Sequence, residues 1–584
     1  MIRSSKTSFK IINIFLITLF LLLVVGLYTI QVREGDKYSN IAVNNYVRLR
    51  KIQPVRGEIF DRNFVPLAVN WPVINLYIEP RKIKNQQKLF TFLKQNTKIT
   101  DKQLQQVIKT YKNVYSQNLI LLSDVDYATY VLISERLNYF PSIYFENESS
   151  RRYLMKSHVL GFVRKINPDE YVQLREFDYS INDKIGKSGI EKQYEDILRG
   201  KTGLKLLQKD AFENDYGLLK GELSKDVQNG SNIVLSIDKR VQDFVISKIP
   251  SDSLRGFIGV MDAASGGIVA YASFPDYDNN NFVDFLDETT WDSIRNNPST
   301  PILDRGAVAQ YPPGSVFKLV SGSMGLTDGS VAKDEKIIFC NGRFKLGRKV
   351  YNDWKNHNQA FAFSDAVKHS CDVYFYSLSL RHNLDKFQEF TKQNYLTVKT
   401  EVDLPEEKSG FFPNQAWYEK YLNTGANTSG FKVNLSIGQG EVLVTPLQVL
   451  AYYNAIANDG KWIQPHFLKQ VIGLDSQLIP KTKQLPLVPE TIQTLKEALF
   501  ITVNEKGATG GRAKSNKADV YGKTGSAQNS INPEVTHAWF SGFASYEDSP
   551  VISFVVLLEN AGGGGAKAAP IAKDIVDFYM ENIF

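Results

Sequence analysis

Cysteine is almost missing from this chain, with two in 584 residues. That is too few for a disulfide scaffold, and it leaves one bridge, one metal site or two bare thiols as the choices. A charge excess of one sign is missing too. The 69 Lys and Arg against 62 Asp and Glu give a formal net charge of +7, and no basic run is interleaved with aromatics, so nucleic acid is not the expected partner. None of the six histidines stands in a His-Glu-x-x-His pattern and no Gly-x-Ser-x-Gly occurs, which removes the signatures of zinc proteases and α/β-hydrolases. Two weaker hints fall short as well. The run AGGGGAK, 561–567, has no Gly-Lys-Ser/Thr of a phosphate loop and reads as a flexible turn. The segment Asp276–Phe282 lacks the turn glycine of a calcium loop, would put Asp287 at position twelve, and reads as a polar turn. There is no internal repeat.

Long hydrophobic runs are missing with one exception. Residues Ile11–Ile30 are twenty in a row without a charge, and at about 1.5 Å per residue they match a hydrocarbon core of about 30 Å. The run is too long for a signal peptide and no small-x-small cleavage site follows it, so a retained membrane helix is expected. Arg3, Lys6 and Lys10 precede it, which leaves the first ten residues cytoplasmic and the chain beyond Val32 outside. The protein is therefore read as single-pass.

The remaining length exceeds one core, since single domains usually stop near about 250–300 residues. A polar, glycine-containing stretch, KDAFENDYGLLKGELSKDVQNGS, separates an α+β region at 31–228 from a second unit at 229–584. In the second unit GFIGVMDAASGGIVAYASF reads as a hairpin, ADVYGKTGSAQ, HAWFSGFAS and PVISFVVLLEN as three more strands, and the C-terminal AAPIAKDIVDFYMENIF as an amphipathic helix. Strands at both ends with helices between predict an α+β fold, an antiparallel sheet flanked by helices.

The chemistry is concentrated in three short stretches of that unit. In YPPGSVFKLV the prolines stop a helix and the spacing after Gly314 starts one, so Ser315 is expected at a helix N-terminus with Lys318 on the same face. A serine hydroxyl needs a neighbour to take its proton, and a lysine does so only when its pKa falls from about 10.4 toward neutrality. Burial beside another cation produces such a fall, so a second cation is expected. Lys523 in YGKTGSAQ supplies it, on a strand where Gly525 would let an extended substrate lie along the edge. In KHSCDVYFY, Ser370 and Asp372 could bridge the two lysines. A lone Ser-x-x-Lys is usually a helix cap. Three such elements in this order are not.

The set Ser-x-x-Lys, Ser-x-Asp, Lys-Thr-Gly resembles the three motifs of the penicillin-recognising serine transpeptidases. The stretches RGEIFDRN and GKSGIEKQYEDILRGKTG resemble the pedestal domain of class B penicillin-binding proteins, and HVLGFVRKIN, VDLPEEKSGFFP and SIGQGEVLVTPLQ resemble their elongation type. That likeness implies a peptidoglycan D,D-transpeptidase of the D-Ala-D-Ala transpeptidase/carboxypeptidase kind. Ser315 would be the acyl-ester nucleophile, Lys318 its base and Ser370 a proton shuttle, with Asp372 where many relatives carry Asn. Lys523 and Thr524 would anchor the substrate carboxylate, and the N–H groups of Ser315 and Ser526 would form the oxyanion hole. It also implies peptidoglycan stem peptides and β-lactams as ligands. The implied partners are a lipid-II glycosyltransferase of the shape-elongation-division type and a rod-complex scaffold, at a bacterial inner membrane with most of the chain in the periplasm. The rivals are a tethered β-lactamase or β-lactam sensor, a septal class B enzyme and a non-catalytic scaffold.

Both cysteines, Cys340 and Cys371, lie in this unit, and Asp353 and His357 stand between them. Four such donors suit a closed structural zinc site. A similar zinc site is implied by the resemblance to elongation transpeptidases, where it would stiffen the loop of Ser370. A Cys340–Cys371 disulfide and two unpaired thiols remain the alternatives.

Overall fold

The computed structural model describes the chain except residues 1–2, 39–46, 98, 102–103, 106–118, 178, 180–182, 210–214, 220–223, 252–253, 284–287, 423–427, 475–478, 530–531 and 533. Parts of the expected boundary stretch, of the helical pattern after Asn96 and Asp287 lie outside the described residues. The chain divides into two compact units. One joins Met1–Arg56 with Arg199–Gly230, and the other joins Gly57–Leu198 with Ser231–Phe584.

The first unit opens with a helix, Arg3–Tyr28, that runs into a π-turn at Thr29–Arg33. Its apolar side chains are exposed, as Phe15 at 65% and Leu22 at 65% show, and Phe9–Arg33 is long and apolar enough to cross a membrane, with mean hydropathy 2.7. The same unit holds a three-stranded antiparallel sheet with Gly203–Lys209 between Val47–Ile52 and Asp215–Leu219.

The second unit holds residues from both sides of position 228/229. Strand Ile233–Leu235 pairs in parallel with Ile59–Phe60 and antiparallel with Leu468–Val471. The sheet continues through the long antiparallel pair Pro66–Ile78 and Ile143–Tyr153, paired from Ala68↔Tyr153 to Ile78↔Ile143. Buried backbone groups must find partners, and these find them across the linear boundary, so segments from both halves share one sheet. A buried ion pair braces it: Arg151 Nε lies 2.7 Å from Glu191 Oε1, with the side chains 2% and 0% exposed, and Arg151 Nη1 donates to the carbonyl of Gly57 at 2.8 Å.

The C-terminal part of the second unit is organised on five antiparallel strands: β1 (Gly256–Asp262), β2 (Ile268–Phe274), β3 (Asp519–Gln528), β4 (Thr536–Tyr546) and β5 (Ser549–Leu558). Their order is β2-β1-β5-β4-β3, which leaves β3 at an edge. The expected hairpin is β1–β2, and the three expected C-terminal strands are β3, β4 and β5. Side chains alternate between faces, and both faces are covered. Ile258, Val260, Phe540 and Val556 pack with Val241, Ile575 and Val576 of helices Lys239–Ser247 and Gly564–Asn582. Phe257, Met261, Trp539 and Leu557 join the larger core of the helical region. Within that region helix Pro446–Ala457 is buried at every residue and starts with a Thr445/Gln448 capping box, which satisfies its first N–H groups.

Candidate active site

Ser315 does not begin an α-helix directly. It sits in a 3-10 turn, Gly314–Phe317, that feeds helix Lys318–Thr327. In a 3-10 turn residues three apart eclipse, so the expected pairing of Ser315 and Lys318 on one face survives the change of helix type. Gly314 adopts φ +57°, a left-handed conformation that costs other residues about 1–2 kcal/mol. Its N–H donates to the carbonyl of Gly438 at 2.8 Å. A Cβ on Gly438 would lie 2.3 Å from the carbonyl oxygen of Gly314, so the loop SIGQG clasps the nucleophile turn through two glycines. Reading the residues alone assigned this loop no task; its closely spaced glycines were the available signal.

Lys318 is fully buried. Its Nζ donates to the Ser370 carbonyl at 2.7 Å and the Ser370 hydroxyl at 3.0 Å, and it lies 2.6 Å from Asp372 Oδ1 and over the Phe375 ring at 5.6 Å. Among the described residues the Ser315 hydroxyl has no hydrogen-bond partner, because the amine is turned to the second motif. Ser370 carries φ +54°, a strained setting for a residue with a Cβ. It lies between helix Phe363–Lys368 and helix Asp372–Ser379, and its N–H is held by Val367 at 3.1 Å. Burial pushes the Asp372 carboxyl up from its ordinary value, against the pull of Lys318. The pair can therefore share a proton in a way that two solvated groups cannot.

Lys523, expected as a second cation, lies close enough to Lys318 to feel its charge. Lys523 is fully buried on β3, its Nζ donates to the Thr524 carbonyl at 3.0 Å, and burial together with the Lys318 charge holds it well below the ordinary lysine value. Thr524 is buried at 7% and Ser526 is exposed. The Ser526 hydroxyl accepts from the Gly564 N–H at 3.3 Å, and its carbonyl accepts from Gln439 Nε2 at 3.4 Å. A Cβ on Gly314 would stand 3.1 Å from the Ser526 carbonyl, which brings the backbones of the two candidate oxyanion donors side by side.

Close packing sets two glycines. A Cβ on Gly525 would meet Trp539 Cβ at 3.0 Å, the Pro313 carbonyl at 3.1 Å and Val316 Cγ1 at 3.1 Å. The missing side chain makes room for the turn that carries Ser315. The glycine run is open at Gly562, where a Cβ would meet nothing within 4 Å, and tight at Gly564, where it would lie 2.1 Å from the Trp539 carbonyl and 2.4 Å from that of Gly525. Gly564 starts the last helix hard against β3 and β4. His537, expected at core or rim, is buried and accepts the Asn560 N–H at 3.2 Å.

Cys340, Asp353, His357 and Cys371 converge. One ligand atom from each lies within 4.8 Å of the other three, and both cysteines are free thiols. Each sulfur stands 3.3 Å from Asp353 Oδ2, while Asp353 Oδ1 and His357 Nε2 are buried without a hydrogen-bond partner. Buried polar atoms left unpaired are costly, and burial holds the His357 ring below its ordinary value, in the neutral form a metal takes.

A buried Lys–Ser–Asp cluster, a serine on the adjoining turn and a second buried lysine on an edge strand define a serine acyl-transfer centre. The chain belongs to the penicillin-binding protein transpeptidase family, whose domain model matches residues 256–577. The penicillin-binding protein dimerisation domain matches 51–235. The chain is 29% identical to the peptidoglycan D,D-transpeptidase MrdA of Haemophilus influenzae, over 95% of its own length and 88% of the relative's. It is likewise 29% identical to MrdA of Acinetobacter baumannii, over 97% and 86%. The solved complex of the penicillin-binding protein PBP2 with MreC from Helicobacter pylori is similar with a TM-score of 0.81 and 28% identity, covering 92% of this chain and all of that one.

Proposed function

We propose that this protein is an elongation-type peptidoglycan D,D-transpeptidase. The observation that carries the reading is the buried Lys318 amine joined to Ser370 and Asp372 one turn from Ser315, with Lys523 beside it. Ser315 Oγ attacks the penultimate D-Ala carbonyl of a stem peptide while its proton passes to Lys318. The developing oxyanion meets the N–H groups of Ser315 and Ser526, a contribution of about 2.7–4 kcal/mol per donor in other enzymes. The tetrahedral adduct expels the terminal D-Ala, whose amine takes a proton relayed through Ser370. An amine of a neighbouring stem then accepts the acyl group, and water in its place gives the carboxypeptidase outcome. Lys523 and Thr524 hold the substrate carboxylate. A strained β-lactam amide is opened by the same attack, and the adduct persists because Asp372, the carboxylate at the site, is engaged by Lys318. Ser315→Ala is expected to abolish labelling by fluorescent penicillin, with the wild-type adduct mapped to the Ser315 peptide by mass spectrometry; an adduct on any other serine overturns the assignment.

The helix Arg3–Tyr28 serves in this reading as a single anchor in the inner membrane, with the catalytic unit in the periplasm. A rod-complex scaffold and a lipid-II glycosyltransferase of the shape-elongation-division type are the partners. The first is supported by the Helicobacter pylori relative's complex with MreC. Cys340, Asp353, His357 and Cys371 hold a structural zinc ion, supported by the unpaired Asp353 and His357 atoms. Bound there, zinc would take both thiols as thiolates and clamp the Cys371 end of the Ser370 loop. Metal analysis is expected to find one zinc per chain and none in Cys371→Ala; a metal-free wild type refutes the site.

A further inference from the structure

Trp354 is exposed and yet held still. The residue is 59% exposed, which for an isolated aromatic needs no explanation. Two contacts fix it all the same. The indole N–H donates to the Ser370 carbonyl at 3.1 Å, and the ring stands edge-on to His357 with centroids 5.7 Å apart at 75°. The Ser370 carbonyl that takes the indole N–H also accepts from the Lys318 amine at 2.7 Å. Two donors on one oxygen cannot be farther apart than the two bonds together, so the indole stands at the lip of the reacting centre. A large aromatic surface ordered before any ligand arrives loses little entropy on binding, and this is what makes tryptophan effective at recognition sites.

We propose that the open face of Trp354 is a wall of the acyl-donor subsite, against which the planar amides and apolar groups of the peptide lie while Ser315 attacks. The proposal rests on the reading of Ser315 as the acylated residue. The full chain in detergent is acylated with fluorescent penicillin over a range of concentrations, which separates the half-saturating concentration from the limiting acylation rate, and the adduct is mapped by mass spectrometry in the same samples. Trp354→Ala is expected to raise the half-saturating concentration about tenfold while the limiting rate stays within about twofold, and Trp354→Phe to retain most of the wild-type behaviour. Intrinsic fluorescence is expected to change on acylation of the wild type and not of Trp354→Phe, a readout that holds even where Trp354→Ala fails to fold. An unchanged half-saturating concentration in Trp354→Ala overturns the proposal, as does a loss confined to the limiting rate. A Trp354→Phe variant as impaired as Trp354→Ala also overturns it, because the N–H tether and not the ring would then matter. An adduct away from Ser315 in the wild type instead sinks the nucleophile assignment.

Discussion

Replacing Asp372 with Asn removes the anion that faces two buried lysines. Asp372 Oδ1 is 2.6 Å from Lys318 Nζ, with side chains 13% and 0% exposed, so solvent screens little of the attraction. At an effective dielectric of about 20 the Coulomb energy at that distance is about 6 kcal/mol. After the hydrogen bond an amide can still make, the measured range for breaking a buried pair, about 3–5 kcal/mol, is the appropriate expectation. At about 2 °C per kcal/mol for a domain of this size, the transpeptidase unit should melt about 6–10 °C lower near pH 6. The gap should close as pH rises. In the variant Lys523, held well below the ordinary lysine value by burial and the Lys318 charge, loses the opposing pull of the Asp372 carboxylate and releases a proton more readily folded than unfolded. The folded chain then binds fewer protons, and stability climbs until the unfolded lysine value near about 10.4. Thermal unfolding of both proteins at pH 6, 7.5 and 9 is the assay. A gap that stays constant or widens with pH refutes the electrostatic reasoning.

Gly525→Ala should cost about 1–3 kcal/mol by overpacking against Pro313, Val316 and Trp539, and should slow penicillin acylation by displacing the Ser315 turn; unaltered kinetics would return Gly525 to the substrate-edge role. Arg151→Met leaves Glu191 buried without its cation and is expected to lower stability by about 3–5 kcal/mol in denaturant unfolding, with wild-type penicillin labelling of the fraction that stays folded.

What was legible in the sequence is what depends on neighbours in the chain. The span of the apolar helix, the β1–β2 hairpin, the three C-terminal strands and the Ser315–Lys318 spacing all follow from local periodicity. The four zinc-competent residues could be named because so few cysteines are present. Less legible was what glycine does in a packed protein. Gly525 read as room for a substrate edge and the run around Gly564 as a flexible turn; the structure packs Trp539, Pro313 and Val316 against the first and the Trp539 and Gly525 carbonyls against the second, because a missing side chain marks a close approach without saying what approaches. Trp354 carried no chemical signal and the SIGQG loop only its glycine spacing, since their partners Ser370 and Gly314 lie elsewhere along the chain.

By itself the sequence determined the chemical inventory: one nucleophile three residues from one amine, a second lysine on a strand, a serine and an aspartate between them, one membrane-length helix. The tertiary structure alone decided which groups share a charge environment. It turned Lys318 toward Ser370 and Asp372, buried Lys523 beside it, and joined Gly57–Leu198 with the catalytic half across the expected linear boundary. The reason is physical: dielectric burial and charge–charge coupling depend on distance through space, which no spacing along the chain encodes.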